Sequence, residues 1–406
     1  MSRVHASLLC IIGLSPWHAA HAQGLFDRST LSGVIVAGAV VATDARAWTG
    51  GGLGKVEHRG VQADADAVVA WRPDLTPRLS SHIALALQSS VRGVVGLDEA
   101  YLRLRRDPEA AVGLTARAGL FFPPASLEHD GAEWTTHHTL TPSAIGSWIA
   151  EEVKVLGAEA TVHTALAGKP ASLTFAAFGA NDTAGTLLTF RGWALHDLRA
   201  TAGQTLPLPP VTPAFFEQAP RTQPVIELDG RIGAYAKAEV ALSDALSLSA
   251  MVYSNQGDLV ALRNGQYAWQ TRFATMGASL RTPGNTTILG QVLFGTSRMG
   301  LVEGKGAKTD VSFGSAYLLV SKPLRKGALT GRIEAFAIDD HSFLDMENNH
   351  EKGAALTGAW TRPLSGATEL VTEVVGVWSD RPARARIGTS PDQLDIQTKI
   401  ALRTRF

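Results

Sequence analysis

From Asp395 to Phe406 the residues alternate almost without fault. Ile396, Thr398, Ile400, Leu402, Thr404 and Phe406 fall on one side; Asp395, Gln397, Lys399, Ala401, Arg403 and Arg405 fall on the other. Successive side chains of a strand point to opposite faces, so this segment carries one apolar and one charged face. The same period recurs upstream. Val61, Ala63, Ala65, Ala67, Val69 and Trp71 back onto Gln62, Asp64 and Asp66. Ala100, Leu102 and Leu104 back onto Glu99, Tyr101, Arg103 and Arg105, and the Val112–Leu120 set backs onto Thr115 and Arg117. The longest internal pattern, Ile226 to Leu242, predicts one continuous strand with Glu227, Asp229, Arg231, Tyr235, Lys237 and Glu239 on its polar face. A soluble sheet would also bury one face and wet the other. Charged rows a dozen residues long, however, suit a water-filled interior with lipid outside. Trp71, Tyr267, Trp269, Tyr317, Trp360, Trp378 and Phe406 lie near strand ends, where a membrane barrel places its aromatic girdles.

The ending on Phe406 resembles the terminal strand of Gram-negative outer-membrane β-barrels. That resemblance implies recognition of Phe406 by the outer-membrane assembly machinery, with a lipid bilayer and lipopolysaccharide as surroundings. The amino terminus agrees: Arg3, a short apolar stretch Leu8–Leu14 and the small residues of Ala20-His21-Ala22 predict a signal peptide over residues 1–22. That stretch is too short to span a bilayer as a helix. Cys10, the only cysteine, falls inside it, which leaves no disulfide or cysteine metal site for residues 23–406, read as a single domain. Basic and acidic residues balance at 37 each, so no global field would draw nucleic acid.

Short Pro-, Gly- or charge-rich connections recur at 72–78, 106–110, 167–171, 243–245, 281–286, 322–327 and 362–366. Longer ones fall at 42–59, 90–97, 121–150, 181–223, 256–264, 296–309, 339–351 and 379–392. Seven periplasmic turns and eight extracellular loops predict eight hairpins: an all-β transmembrane antiparallel barrel of about sixteen strands. A barrel of that size leaves room for an aqueous channel.

Two long connections attract attention. In the first, Arg117-Ala118-Gly119 precedes Phe121-Phe122-Pro123-Pro124 and Glu128, a run similar to the phosphate-selective porin O/P group. The chain also looks like porin-like proteins of alphaproteobacteria. The resemblance implies a third loop that folds into the barrel and narrows it. It does not carry phosphate selectivity over, because this loop has no Lys and instead offers Glu128, Asp130 and Glu133. Opposed charges across a narrow waist orient dipolar solutes and filter ions. Glu128, Asp130 and Glu133 are therefore candidates for the acid side, and Arg103, Arg105, Arg117, Arg231 and Arg272 for the basic wall. A solvated loop with locally paired arginines is the plainer alternative. The second long loop, 181–223, holds Phe190, Trp193, His196 and Phe215-Phe216. It could latch a neighbouring subunit of a homotrimer, cover its own mouth, stack sugars or pack on itself.

Catalytic patterns are missing. Gly50–Lys55 departs from a phosphate loop at Thr49 and Val56, and no Gly-x-Ser-x-Gly elbow occurs. His129, His137 and His138 lack zinc spacing. Asp339, Asp340, Asp345, Glu347 and His350 form an acidic loop tip, either solvated or bridged by divalent cations to lipopolysaccharide. The resulting expectation is a porin that passes small hydrophilic solutes or ions, without enzymatic activity or cofactor. An outer-membrane barrel enzyme and a secreted soluble β-sheet binding protein are the competing classes.

Overall fold

A computed structural model describes residues 24–91, 95–107, 110, 112–344, 346 and 348–406. The signal-peptide expectation, Cys10 included, and two acids of the loop tip, Asp345 and Glu347, lie outside the described residues. Sixteen antiparallel strands close into one barrel. Its first half comprises β1 (Leu31–Ala42), β2 (Gly60–Trp71), β3 (Leu79–Gln88), β4 (Val95–Leu104), β5 (Gly113–Phe121), β6 (Val155–Leu166), β7 (Lys169–Gly179) and β8 (Gly233–Ala241). The second half comprises β9 (Leu246–Ser254), β10 (Gln270–Arg281), β11 (Thr287–Val302), β12 (Gly306–Leu324), β13 (Gly327–Asp340), β14 (Glu351–Pro363), β15 (Thr368–Asp380) and β16 (Asp392–Arg405).

Each strand pairs with its chain neighbours, and β1 pairs with β16 from Val34↔Arg405 to Ala42↔Gln397. Closure leaves no sheet edge, which is what lipid demands of backbone amides. At the seam Gly33 and Phe406 exchange both backbone hydrogen bonds, 3.0 and 3.1 Å. A Cβ on Gly33 would lie 2.6 Å from the Phe406 ring, so only glycine lets the terminal ring settle there. The turn Ala167-Gly168 has positive φ at both residues, the type I′ geometry favoured in two-residue hairpins.

The apolar rows face outward. Val61, Leu102, Leu156, Phe175, Val252, Ile333, Leu356, Ile400 and Leu402 are all exposed, while Asp64, Glu99, Glu373, Lys399 and Arg403 are buried on the inner face. The outer surface is thus a hydrocarbon-compatible band around a charged interior.

Four expectations need correction. The strand predicted from Ile226 begins only at Gly233, because Glu227 and Asp229 accept backbone N–H groups of Ala180, Gly230, Arg231 and Asp258 and knot that segment into a loop. The predicted loop 296–309 shrinks to residues 303–305, since β11 and β12 run on past their neighbours. Of the aromatic set, Trp71, Trp360, Trp378 and Phe406 point outward, but Tyr267, Trp269 and Tyr317 are buried inside. Finally, the third long connection is not loop throughout: it contains α1 (Ala144–Glu152), whose Ser143 N-cap accepts from Gly146 N at 3.2 Å.

Candidate functional site: the barrel interior and its third loop

Residues 122–154 connect β5 to β6 and touch inward side chains on many other strands. Arg332 on β13 is the main anchor. Its Nη1 reaches Glu128 Oε1 at 2.8 Å and the Thr141 carbonyl at 2.9 Å, its Nη2 reaches the Pro142 carbonyl at 2.9 Å, and its Nε binds Glu334 at 2.9 Å. Glu334 accepts Ala144 N at 2.7 Å, and Glu373 on β15 accepts Leu140 N at 2.7 Å and Thr141 N at 3.0 Å. Gln291 on β11 accepts Leu127 N, and Arg403 on β16 donates to the carbonyls of Thr136, His137 and Thr139. A backbone taken out of water needs such partners, and here the wall supplies them as side chains.

The predicted residues disperse. Glu128 meets not one of the five predicted arginines but Arg332, in a fully buried pair. Asp130 is exposed. Glu133 binds Ser32 at 2.6 Å and Arg72 at 2.5 Å, so the loop descends to the short-turn end. Arg103 and Arg117 face inward, the latter held by Glu159 at 2.8 Å. Arg105 instead pairs with Asp74 at a turn, just beyond the end of β4. Arg231 sits in the knotted loop before β8, 3.0 Å from Asp258. Arg272 lies on the outer face, because its neighbours Thr271 and Phe273 take the buried positions of β10.

A bulge escapes period-two reading altogether. The β3–β4 register shifts at Ala84/Leu85, which turns the consecutive residues Asp98 and Glu99 both inward. Asp98 then holds Lys154 at 2.6 Å and Arg199 at 2.5 Å, joining the third loop to the fourth.

The interior is two-sided. Along β7 to β13, Phe178, Tyr253, Phe273, Phe313 and Phe336 point inward and pack against Trp148 of α1 and Trp193 of the fourth loop. Ring centroids lie 5.3 Å apart for Trp148–Phe273 and 5.2 Å for Trp148–Phe313. That is an apolar core inside the barrel. The remaining wall is ionic: Lys399 on β16 lies 3.1 Å from Asp64, 3.4 Å from Asp197 and 3.8 Å from Glu57. Burial, with Glu57 and Asp64 nearby, pushes the Asp197 carboxyl up to about 7 despite Lys399. At the long-loop end Lys55 pairs with Glu351, which also meets Arg381, and Glu151 is bound by both Arg191 and His196. The 181–223 segment therefore folds over its own mouth, with Phe190, Trp193 and Phe215 buried and Phe216 left exposed.

Three of the spaces among the described residues border the charged side chains of the interior or its short-turn end. About 70 Å³ lies between the third loop and the β1–β2–β16 wall, beside Asp66, Asp197, Arg199 and Arg403. At the short-turn end, about 310 Å³ opens beside Arg103 and Arg117 and about 450 Å³ beside His137 and His138. Asp182, Glu227 and Asp229 bring oxygens within 4.8 Å of one another, but these carboxylates already accept backbone N–H groups and serve as a loop hub.

Glu152, the last residue of α1, gives a pH prediction. Burial and then Glu151 push its carboxyl up from 4.5 to about 7, although Leu187 N, Leu188 N and Trp148 Nε1 donate to it. A raised folded pKa favours the neutral form. Its contribution is therefore fully present below about pH 4.5 and lost as pH rises to about 7. The loss is about 3 kcal/mol. Thermal unfolding followed by gel mobility at pH 5 and pH 8 should show this component in the wild type and lack it in Glu152→Gln.

No family model matches this chain, and no curated protein matches it. Solved structures do. The outer-membrane channel DcaP of Acinetobacter baumannii aligns over 93% of this chain and 96% of its own at 11% identity, with a TM-score of 0.57. A loop-deletion mutant of OmpT, an outer-membrane protein of Vibrio cholerae, aligns over 93% and 98% at 8% identity, TM-score 0.53. The anion-selective porin from Comamonas acidovorans aligns over 93% and 99% at 13% identity, TM-score 0.51. At these identities the likeness is one of fold: this chain has the sixteen-stranded barrel architecture found in outer-membrane porins and channels.

Proposed function

We propose that this chain is an outer-membrane channel through which small hydrophilic solutes or ions diffuse passively, with residues 122–154 as its constriction. The observation that carries this reading is the crossing of the third loop, tied to the far wall by Glu128–Arg332, past a wall that bears Asp66, Lys399 and Arg403. A narrow waist lined by both signs of charge selects for small polar solutes. The apolar exterior argues for lipid around the barrel and against a soluble sheet protein. Structures of the same fold described as a channel and a porin support the reading, and the Vibrio protein's trimer form supports a homotrimer. Under this reading Phe406 is the signal for assembly and the interior charges act as a filter rather than as catalysts.

The test is single-channel conductance of refolded protein in a planar bilayer, with a salt gradient. Small, stable current steps with a defined reversal potential are expected. Protein that inserts yet never conducts would overturn the diffusion reading.

A further inference from the structure

Beneath the third loop, at the short-turn end, lies a polar vestibule of about 310 Å³ walled by β4 to β8. Arg103 on β4 stands directly opposite Arg117 on β5, and Arg117 directly opposite Glu159 on β6. Glu159 binds Arg117 at two atoms, 2.8 and 3.0 Å. On β8, Lys237 pairs with Glu239 at 2.9 Å. No acid among the described residues pairs with Arg103. The vestibule thus holds three fixed cations against two carboxylates, a surplus of one positive charge located at Arg103. Like charges directly opposite across strands repel, so the Arg103–Arg117 pair favours an anion between them. Thr115 and Thr174 add hydroxyls to the same walls, and the two paired carboxylates keep free lone pairs for donors.

We propose that this vestibule is a binding site for hydroxylated organic monocarboxylates, the carboxylate on Arg103 and Arg117 and the hydroxyls on the threonines and glutamates. The surplus of one charge selects a monoanion over a dianion, and the volume matches the lower range of small-ligand pockets. The proposal deepens the channel reading by naming the solute class it would hold at its periplasmic end.

Gluconate is the probe, with sorbitol as its uncharged counterpart and glucarate as the dianion. Equilibrium binding to the folded barrel in detergent should be saturable for gluconate, weak for sorbitol and no tighter for glucarate. Arg103→Gln, at an exposed position that leaves the barrel intact, should weaken gluconate binding about tenfold. In bilayers, gluconate added from the short-turn side should reduce the current, again with a tenfold shift in the variant. Equal binding of sorbitol, tighter binding of glucarate or an unchanged Arg103→Gln would overturn the site. A barrel that binds gluconate through Arg103 yet passes no current would keep the site and remove the channel; one that conducts without binding gluconate would do the reverse.

Discussion

Arg332→Met should release the third loop and open the barrel. The guanidinium is 1% exposed and holds Glu128, Glu334 and the carbonyls of Thr141 and Pro142 together. Removing one partner of a buried ion pair leaves the others charged and unpaired, which costs about 3–5 kcal/mol. Two carboxylates and two carbonyls each lose a donor at once, and among the described residues Glu128 and Glu334 keep only the N–H groups of Ser143 and Ala144, so the upper part of that range is expected. The barrel strands themselves keep their hydrogen-bond ladder. The energy therefore falls mainly on the docking of residues 122–154, which should sample positions away from the β13 wall. Two readouts follow: a lower temperature for the folded-to-unfolded gel shift, and larger, noisier single-channel currents. Arg332→Lys keeps the charge but offers fewer donors in a different geometry, so it should fall between wild type and Met. Unchanged current and unfolding temperature in Arg332→Met would show that other contacts hold the loop.

What could be read from the sequence was the wall, and what could not was its contents. Alternation from Asp395 to Phe406 assigns each side chain of β16 to the face it occupies, because period two is a property of the backbone itself. The turns likewise announce themselves by Pro, Gly and charge, and all eight hairpins fall where the connections predict. A bulge breaks that logic. Asp98 and Glu99 share a face only because one extra residue opposes the Ala84/Leu85 step, and no local composition marks it. Loop docking is equally silent. Arg332 and Glu334 sit two apart in a strand, as any lumen-facing pair would, and nothing nearby in sequence says that their partners lie about two hundred residues upstream. Arg272 and Tyr317 show the same limit from the other side: a strand's phase is set by the core it meets, so a polar residue can face outward and an aromatic inward.

The aromatic interior leads to the second large effect. A water-filled lumen would make Trp148 an ordinary wetted side chain, and Trp148→Ala would then change stability little. The structure places it 1% exposed at the centre of the inner core, edge-on to Phe273 and Phe313 and 6.0 Å from Trp193. Its indole Nε1 donates to Glu152 at 2.8 Å, and Glu152 in turn receives the N–H groups of Leu187 and Leu188 in the fourth loop. Truncation to Ala therefore removes the apolar bridge between the third loop, the fourth loop and the β10–β12 wall. Large-to-small changes of this kind cost about 3–5 kcal/mol. Trp148→Phe keeps most of the buried area and loses the donor, so a smaller loss is expected. The two variants separate packing from hydrogen bonding. Near-ultraviolet circular dichroism reads the loss of the ring cluster directly, while gel mobility reports whether the barrel survives. A barrel that remains closed while its ring signal and docking stability collapse is the expected outcome for Ala. An Ala variant with wild-type stability would mean that the interior is wet and that α1 is only loosely seated on the wall.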